Sequence, residues 1–230
     1  MEQESCFPGQ EAPELKEWME KLTLLTLQSH INGTLDFILD LPRDFCSTLL
    51  VSAGYKSLAL ALYDFISGEG ATGHCDDEFN QFREWYRMIR ECYKSTDFRL
   101  HVQEPYLTQL KDGSKTIEGR CAGAAYEGLR SGAVILFNEC LMCKAQNVNH
   151  YDSFQQMLQV EGLERVLPGV NSVEEGVAVY RKFYTLEREK LNGVLAIHVS
   201  KLTTQPYLVL PQILSKLGCC GLQKLMHQIP

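Results

Sequence analysis

Three charged side chains that can bind a ligand lie close together in residues 113–120, GSKTIEGR. Lys115 supplies an ammonium group, Glu118 a carboxylate and Arg120 a guanidinium group. A guanidinium fork matches a phosphate or the edge of a base, an ammonium adds a point charge, and a carboxylate accepts a hydrogen bond from an amine. We therefore expect this segment to form the edge of a small pocket for a polar base or a phosphate.

A short helix or turn and a brief strand must position these groups. Asp112 and Gly113 end the first element, and residues 116–120 are predicted to form the strand. Alternate side chains of a strand share one face, so the predicted pocket face holds Thr116, Glu118 and Arg120. Lys115 then lies at the strand mouth as a mobile charge. The glycines Gly113 and Gly119 let a ligand or a neighbouring backbone come close.

The same residues are also compatible with a purely structural role. Glu118 and Arg120 lie two residues apart on one strand face, and such neighbours often form an ion pair. Inside a sheet this pair would stabilise the fold without contacting a ligand. The residues alone leave both alternatives open.

The composition is that of a globular protein with two different halves. The chain has 230 residues, of which 45% are hydrophobic and 22% charged, enough for one large domain or two small ones. Its formal net charge of -7 argues against a basic polyanion-binding protein. Residues 1–99 hold 9 Lys and Arg against 17 Asp and Glu, whereas residues 100–205 hold 11 against 12. This asymmetry indicates two units with different roles.

The cysteines indicate a reducing compartment. Nine of them are scattered among helix-like stretches, and the acidic N-terminus lacks the apolar core of a signal peptide. We therefore expect free thiols and a cytoplasmic or nuclear location. Cys140 and Cys143 form one C-x-x-C pair, interpreted as two packed thiols, and His74 with Cys75 lacks partners at a metal-binding spacing. We predict no metal site, no cofactor and no membrane span, since no apolar run approaches roughly 20 residues.

The N-terminal part is predicted to be helical. Residues 1–12 are expected to be disordered, and residues 13–98 to form an α-helical region. Apolar residues recur there at helical spacing, first in Leu15, Trp18, Leu22 and Leu25. A later stripe is aromatic and comprises Phe79, Phe82, Tyr86, Ile89 and Tyr93. Core packing explains such spacing, and a docking surface for a protein partner is the alternative.

The hydrophobic period changes in the second half. Short apolar or alternating runs at residues 98–102, 133–137 and 194–199 predict strands, and residues 141–151 are a candidate partner strand. Asp152 and Ser172 are expected to cap two inserted helices. Together these elements predict an α+β protein whose residues 99–203 form a small, partly closed β-barrel. Residues 204–230 form an aliphatic tail, interrupted at residues 218–221, that we expect to pack on the barrel or to be partly disordered. The alternative is that the tail anchors the protein to a membrane surface through Cys219 and Cys220.

The segment GSKTIEGR resembles the G-x-K-x-x-E-x-R pattern of the ASCH (activating signal cointegrator homology) domain family. The stretches EPYLTQLKDG, AVILF, YDSFQQML, LPGVNSVEEGVAVYRKFY and GVLAIHVSKL follow in the order expected of that family. The chain as a whole is similar to ASCH-domain proteins of plants. The resemblance covers residues 99–203 and implies a PUA-like β-barrel that presents a groove to nucleic acid.

The resemblance implies binding of single-stranded RNA or a small modified nucleoside, in RNA metabolism or transcriptional coregulation. RNA recognition favours unpaired bases that stack on an aromatic side chain. Tyr106, Tyr126 and Phe154 are candidates for that contact. The residues expected to bind the ligand are Gly113, Lys115, Thr116, Glu118, Arg120, Tyr106 and Phe154.

An enzymatic role is the first alternative. Some small bacterial ASCH-like proteins resemble this segment and are amidohydrolases of acetylated cytidine, with a Lys base, a Thr nucleophile and a Glu. Lys115 corresponds to that base, but Glu118 occupies the position of the nucleophile. Thr116 would have to act as a shifted nucleophile, with Glu187 or Glu189 as a second acid. The departure falls on the nucleophile itself, so we expect recognition rather than catalysis. An adaptor that binds proteins through its N-terminal helices is the second alternative.

Overall fold

The computed structural model describes residues 11–67 and 77–227. These residues fall into two compact units. One contains the described residues up to Ser95 together with those from Thr204 onwards, and the other is Thr96–Thr203. Residues 1–10, which belong to the N-terminus expected to be disordered, lie outside the described residues. The pair His74–Cys75 also lies outside them.

Four helices form the first part of the helical unit. They are α1 (Glu11–Asn32), α2 (Arg43–Val51), α3 (Gly54–Ser67) and α4 (Asp77–Lys94). Trp18 and Leu22 of the first apolar stripe are 0% exposed. On α4, Phe82 and Ile89 are buried as well, and the Phe82 ring meets that of Phe65 edge-on at 5.1 Å. The aromatic stripe therefore contributes to the core of this unit.

The second unit alternates short strands and short helices. Its strands are β1 (Phe98–Leu100), β2 (Ile117–Cys121), β3 (Val134–Phe137), β4 (Leu141–Tyr151) and β5 (Val194–Lys201). Its helices are α5 (Tyr106–Asp112), α6 (Phe154–Glu161), α7 (Leu163–Val166), α8 (Val173–Arg181) and α9 (Leu186–Asn192).

The five strands form one mixed sheet in the order β1-β3-β4-β5-β2. The pair β1 and β3 is parallel, and the other neighbours are antiparallel. The expected hairpin is present, because Phe137 and Leu141 are opposite one another across a turn in which Asn138 and Glu139 have positive φ angles of 47° and 59°. The sheet curls into a half-barrel, which confirms the predicted α+β fold.

The core of the second unit lies between this sheet and the helices that pack on it. Side chains of β2 and β5 meet Phe154 and Met157 of α6 and Tyr180 of α8. The Oγ of Ser153 accepts a hydrogen bond of 3.1 Å from the Gln156 amide and caps α6, a role that the sequence had assigned to Asp152. Ser172 caps α8 as expected, at 3.2 Å from the Glu175 amide.

The C-terminal tail is one further helix, α10 (Pro206–His227), broken at Gly218 where φ is 61°. The break lies at the interruption expected from the sequence. Its buried residues include Val209, Leu210, Ile213 and Leu214. These residues pack against α1, α3 and α4, so the helix completes the core of the helical unit. The sequence predicts a tail that packs on the barrel or is partly disordered, whereas α10 is ordered and packs on the helices of its own unit.

No single helix in the described ranges is long and apolar enough to cross a membrane. Only α2 and α3 taken together meet that criterion, and they are bent by 104° at their junction.

The C-x-x-C pair consists of two buried thiols, with Cys140 6% and Cys143 1% exposed. Burial raises the pKa of Cys140 to about 11 and that of Cys143 to about 12. A thiol with a raised pKa is a poor nucleophile at neutral pH. Both cysteines therefore act as small apolar core residues.

The raised pKa of Cys143 makes stability depend on pH. A group whose pKa is higher in the folded state than in the unfolded state stabilises the protein fully only at pH values below its unfolded pKa. For Cys143 the unfolded pKa is near 9.0, and this contribution to the free energy of unfolding is lost as the pH rises towards the folded pKa of about 12. Between pH 8 and 10 the free energy of unfolding of the wild type should fall by about 1 kcal/mol relative to Cys143→Ala. Urea unfolding at the two pH values measures this difference, with the exposed Cys220→Ala as control. A difference that does not change with pH contradicts the prediction.

Candidate ligand-binding cavity

A cavity of about 280 Å³ lies beside β2 in the second unit. Its polar lining comprises His101, Gln103, Tyr106, Lys115, Glu118, Arg120, Tyr180 and Tyr184. Its apolar lining comprises Val102, Leu167, Val179 and Phe183. The cavity thus combines apolar walls with a few convergent polar groups, which is the usual chemistry of a small-molecule site.

Lys115 is buried at the base of this cavity, with 2% of its surface exposed. Its Nζ donates hydrogen bonds to the carbonyl oxygens of Ile117, at 2.8 Å, and Val166, and lies 3.1 Å from Glu118 Oε2. An ammonium group has three N–H donors, so these contacts use all of them. Burial lowers the pKa of Lys115, although Glu118 acts in the opposite direction. The sequence placed a mobile charge at the strand mouth, whereas this lysine is fixed because a buried ammonium needs every one of these acceptors.

Glu118 joins Lys115 to Arg120. Its other carboxylate oxygen, Oε1, lies 2.8 Å from Arg120 Nε, and Arg120 Nη2 donates to the His101 carbonyl at 2.5 Å. Burial acts to lower the pKa of Arg120, but Glu118, Tyr126 and Tyr184 together act in the opposite direction and the pKa is raised. The expected strand face is present, since Glu118 and Arg120 lie side by side. They form the ion pair that the sequence suggested as a purely structural role, and both residues also line the cavity.

Gly119 separates these two charged residues and faces the helices. A Cβ atom at this position would lie 2.2 Å from Tyr180 Oη and 2.8 Å from Met157 Cε. Gly119 therefore lets the tyrosine approach the strand, as close approach requires a residue without a side chain. The sequence suggested such an approach at Gly119 but did not identify the residue that makes it.

The ASCH-domain family model matches residues 100–203, which include the cavity and the Lys115, Glu118 and Arg120 series. Residues 100–203 of this chain are an ASCH domain. The ASCH domain corresponds to the second unit, and the helical unit lies outside the matched residues.

Two solved structures are similar to part of this chain. One is the crystal structure of a hypothetical protein, with 43% identity over 46% of this chain and 98% of that chain, at a TM-score of 0.45. The other is the solution structure of a protein from Pyrococcus furiosus, with 42% identity over 46% of this chain and 97% of that chain, at a TM-score of 0.42. A comparison with curated proteins gave no match.

The ASCH cavity contains tyrosines that the sequence places on one face of a predicted helix but does not assign to the site. Tyr180 and Tyr184 line it, and Phe154 stacks on both, with ring centroids 4.1 Å and 5.4 Å away. The two tyrosines are four residues apart, and the Tyr184 amide donates to the Tyr180 carbonyl at 2.9 Å just past the end of α8. That spacing, together with a glycine between two charged strand residues, is the signal that could have identified them.

The candidate stacking residues occupy three different environments. Tyr106 lines the ASCH cavity, with Lys115 Nζ 5.5 Å from the centre of its ring. Phe154 is 0% exposed beneath Tyr180, so it supports the cavity wall and cannot stack on a ligand as predicted. Tyr126 lies in a 3-10 turn (Ala124–Tyr126) and lines a different depression, next to His150.

The remaining residues of the segment have backbone roles. Thr116 precedes β2, and its amide and carbonyl bond to Arg165 and Val199, at 3.0 Å and 2.9 Å. It is not among the residues that line the ASCH cavity. Gly113 ends α5 with a φ of 85°, a left-handed conformation that favours glycine at a helix C-terminus.

The acids considered for catalysis lie elsewhere in the ASCH domain. Glu189 is 1% exposed, and its Oε1 accepts a hydrogen bond of 2.7 Å from the Phe154 amide while Oε2 pairs with Arg181. These contacts attach α9 to the start of α6. Glu187 is exposed in the first turn of α9, where backbone and Thr185 hydrogen bonds lower its pKa. Within the described ranges, no group of three His, Cys, Asp or Glu is arranged to hold a metal ion.

The contacts of Lys115 predict that it stabilises the ASCH domain. Lys115→Met keeps most of the side-chain volume, but it leaves two buried carbonyl oxygens without their donor and removes one partner of Glu118. Breaking a buried ion pair in this way costs about 3–5 kcal/mol. Chemical denaturation followed by near-UV circular dichroism should show a loss of that size.

Lys190→Met serves as the matched control, because Lys190 is exposed on α9 and should change stability by about 0.5 kcal/mol at most. Equal stabilities of the two variants contradict a structural role for the Lys115 ammonium.

Proposed function

We propose that the ASCH domain binds one unpaired base, of single-stranded RNA or of a modified nucleoside, in the cavity beside β2. The observation that carries this proposal is the fixed series from Lys115 through Glu118 to Arg120. It holds a guanidinium group at the wall of a cavity that also presents tyrosine rings. Guanidinium groups and aromatic rings are the side chains with which proteins recognise unpaired bases.

Arg120 keeps donors for a ligand. A guanidinium group has five N–H donors. One faces Glu118, one bonds to the His101 carbonyl and one to the Tyr184 hydroxyl. About two of the five therefore remain. The contacts that use the others also fix the plane of the guanidinium group, which favours recognition of a planar edge.

The size and walls of the cavity fit a single heteroaromatic ring. Its volume of about 280 Å³ lies at the lower end of the roughly 300–1,000 Å³ of drug-sized ligand pockets. Val102, Leu167 and Phe183 supply apolar surface against which a ring can pack. The net charge of -7 disfavours tight binding along a phosphate backbone, which depends on many Lys and Arg contacts.

Hydrolysis of an acetylated nucleoside is less well supported. A general base needs a lone pair directed at the proton that it removes. The Lys115 ammonium instead directs its donors at two carbonyl oxygens and a carboxylate. Thr116, the shifted nucleophile, lies outside the cavity lining. These contacts support binding of a ligand over its hydrolysis.

Substitution of Arg120 tests the proposal. Hydrogen bonds from charged groups contribute about 1.5–3 kcal/mol, so Arg120→Ala should weaken binding by roughly ten- to a hundredfold. Because this change leaves Glu118 with one partner fewer, Arg120→Lys is the second variant: it keeps the charge and loses the planar fork. Calorimetric titration with adenosine, cytidine, guanosine, uridine, N4-acetylcytidine and a short single-stranded RNA measures the affinities.

Arg130→Ala provides the matched control, since Arg130 is exposed and lies outside the cavity lining. The control should bind like the wild type. The proposal is overturned if the wild type binds none of these compounds, or if both Arg120 variants bind them with unchanged affinity.

A further inference from the structure

Tyr180 carries a buried hydroxyl group without a protein partner. The residue is 6% exposed, and its hydroxyl oxygen is buried and makes no hydrogen bond to the described residues. Some other buried side-chain atoms of the described residues also lack a hydrogen-bond partner. Of all these atoms, only Arg120 Nε and Tyr180 Oη belong to residues that line the cavity. Arg120 Nε already faces the Glu118 carboxylate in an ion pair. The Tyr180 hydroxyl therefore keeps hydrogen-bonding capacity that no protein group uses.

The position of this hydroxyl is fixed by packing on one face of the ring and at its hydroxyl end. Phe154 stacks on the Tyr180 ring at 4.1 Å with an interplanar angle of 10°. The hydroxyl end lies against Gly119, where a Cβ atom would be 2.2 Å from the oxygen. A clamped ring cannot turn to find another partner in the protein. A buried polar group held in this way in a native structure calls for an explanation, and a bound ligand is one.

The neighbours of the hydroxyl determine what it can do. Burial and the nearby Glu118 carboxylate raise the pKa of Tyr180 well above its usual value, so the hydroxyl stays protonated and can donate. Both oxygens of Glu118 already face cations, Lys115 on one side and Arg120 on the other. Tyr180 and the remaining N–H groups of Arg120 thus present donors to one cavity. Converging donors match an oxygen acceptor on the ligand.

We propose that Tyr180 is a specificity-determining residue that donates a hydrogen bond to a carbonyl oxygen of the bound base. This inference rests on the proposed function of the cavity. It predicts a preference for bases with a carbonyl group, namely cytosine, guanine and uracil, over adenine. A site built to hydrogen-bond a ligand discriminates strongly against an analogue that lacks the partner group.

Tyr180→Phe removes only the hydroxyl and keeps the ring stacked on Phe154. Titration of wild type and variant with adenosine, cytidine, guanosine and uridine measures the preference. The wild type should bind at least one carbonyl-bearing nucleoside about tenfold more tightly than adenosine, which corresponds to one net hydrogen bond. The variant should lose about that factor for the preferred nucleoside and bind adenosine with unchanged affinity. Its melting temperature should not fall, because the hydroxyl has no protein partner to lose.

Tyr55→Phe is the matched control, because Tyr55 lies on α3, outside the lining of this cavity, and its substitution should leave both affinity and preference unchanged. Binding of no nucleoside by the wild type contradicts the proposed function and this inference together. Binding that Tyr180→Phe leaves unaltered overturns the inference alone. An equal loss for all four nucleosides together with a lower melting temperature shows a structural role and also overturns it.

Discussion

The buried ammonium group of Lys115 is the interaction on which the site depends. A charge inside a protein is strongly destabilising unless it is paired and fully hydrogen-bonded. Two backbone carbonyls and the Glu118 carboxylate meet that requirement, and the carbonyl of Val166 comes from α7. The lysine therefore ties α7 to the edge strand β2. It also fixes Glu118, whose other oxygen positions Arg120.

The spacing of the motif follows from this series of contacts. Lys115 precedes β2 and turns inward, whereas Glu118 and Arg120 share one face of the strand. The glycine between them lets Tyr180 pack against the backbone of the strand. One short strand thus carries the fixed charges and admits an aromatic ring, and these residues line one cavity. Each residue type is required by the contact that it makes. Lys115 is long enough to reach the two carbonyl oxygens, and the Glu118 carboxylate bridges it to Arg120. Arg120 places a planar guanidinium group at the cavity, and Gly119 leaves room for Tyr180.

Local patterns predicted the elements of the barrel, but they did not predict the contacts of the site. Apolar runs and capping residues identified β3, β5 and α8, because backbone hydrogen bonding and burial act over a few neighbouring residues. The Lys115 acceptor at Val166 is 51 residues away in the chain. Lysines are also seldom buried, so its type argued for exposure. The sequence predicts that Phe154 stacks on the ligand, because aromatic character alone does not distinguish a ring that contacts a ligand from a ring that supports the cavity wall.

Other buried polar groups of the ASCH domain show how this fold satisfies its structural charges. Glu161 is 4% exposed, and its Oε1 accepts hydrogen bonds of 2.7 Å from both Asn149 and Tyr151, which attach the end of α6 to β4. Glu189 likewise holds the start of α6. In both cases a carboxylate joins two elements through partners that the chain itself supplies. The Tyr180 hydroxyl is buried as well, yet it has no hydrogen-bond partner among the described residues, and Tyr180 lines the cavity. Its environment therefore resembles that of a binding group more than that of the carboxylates that hold the fold together.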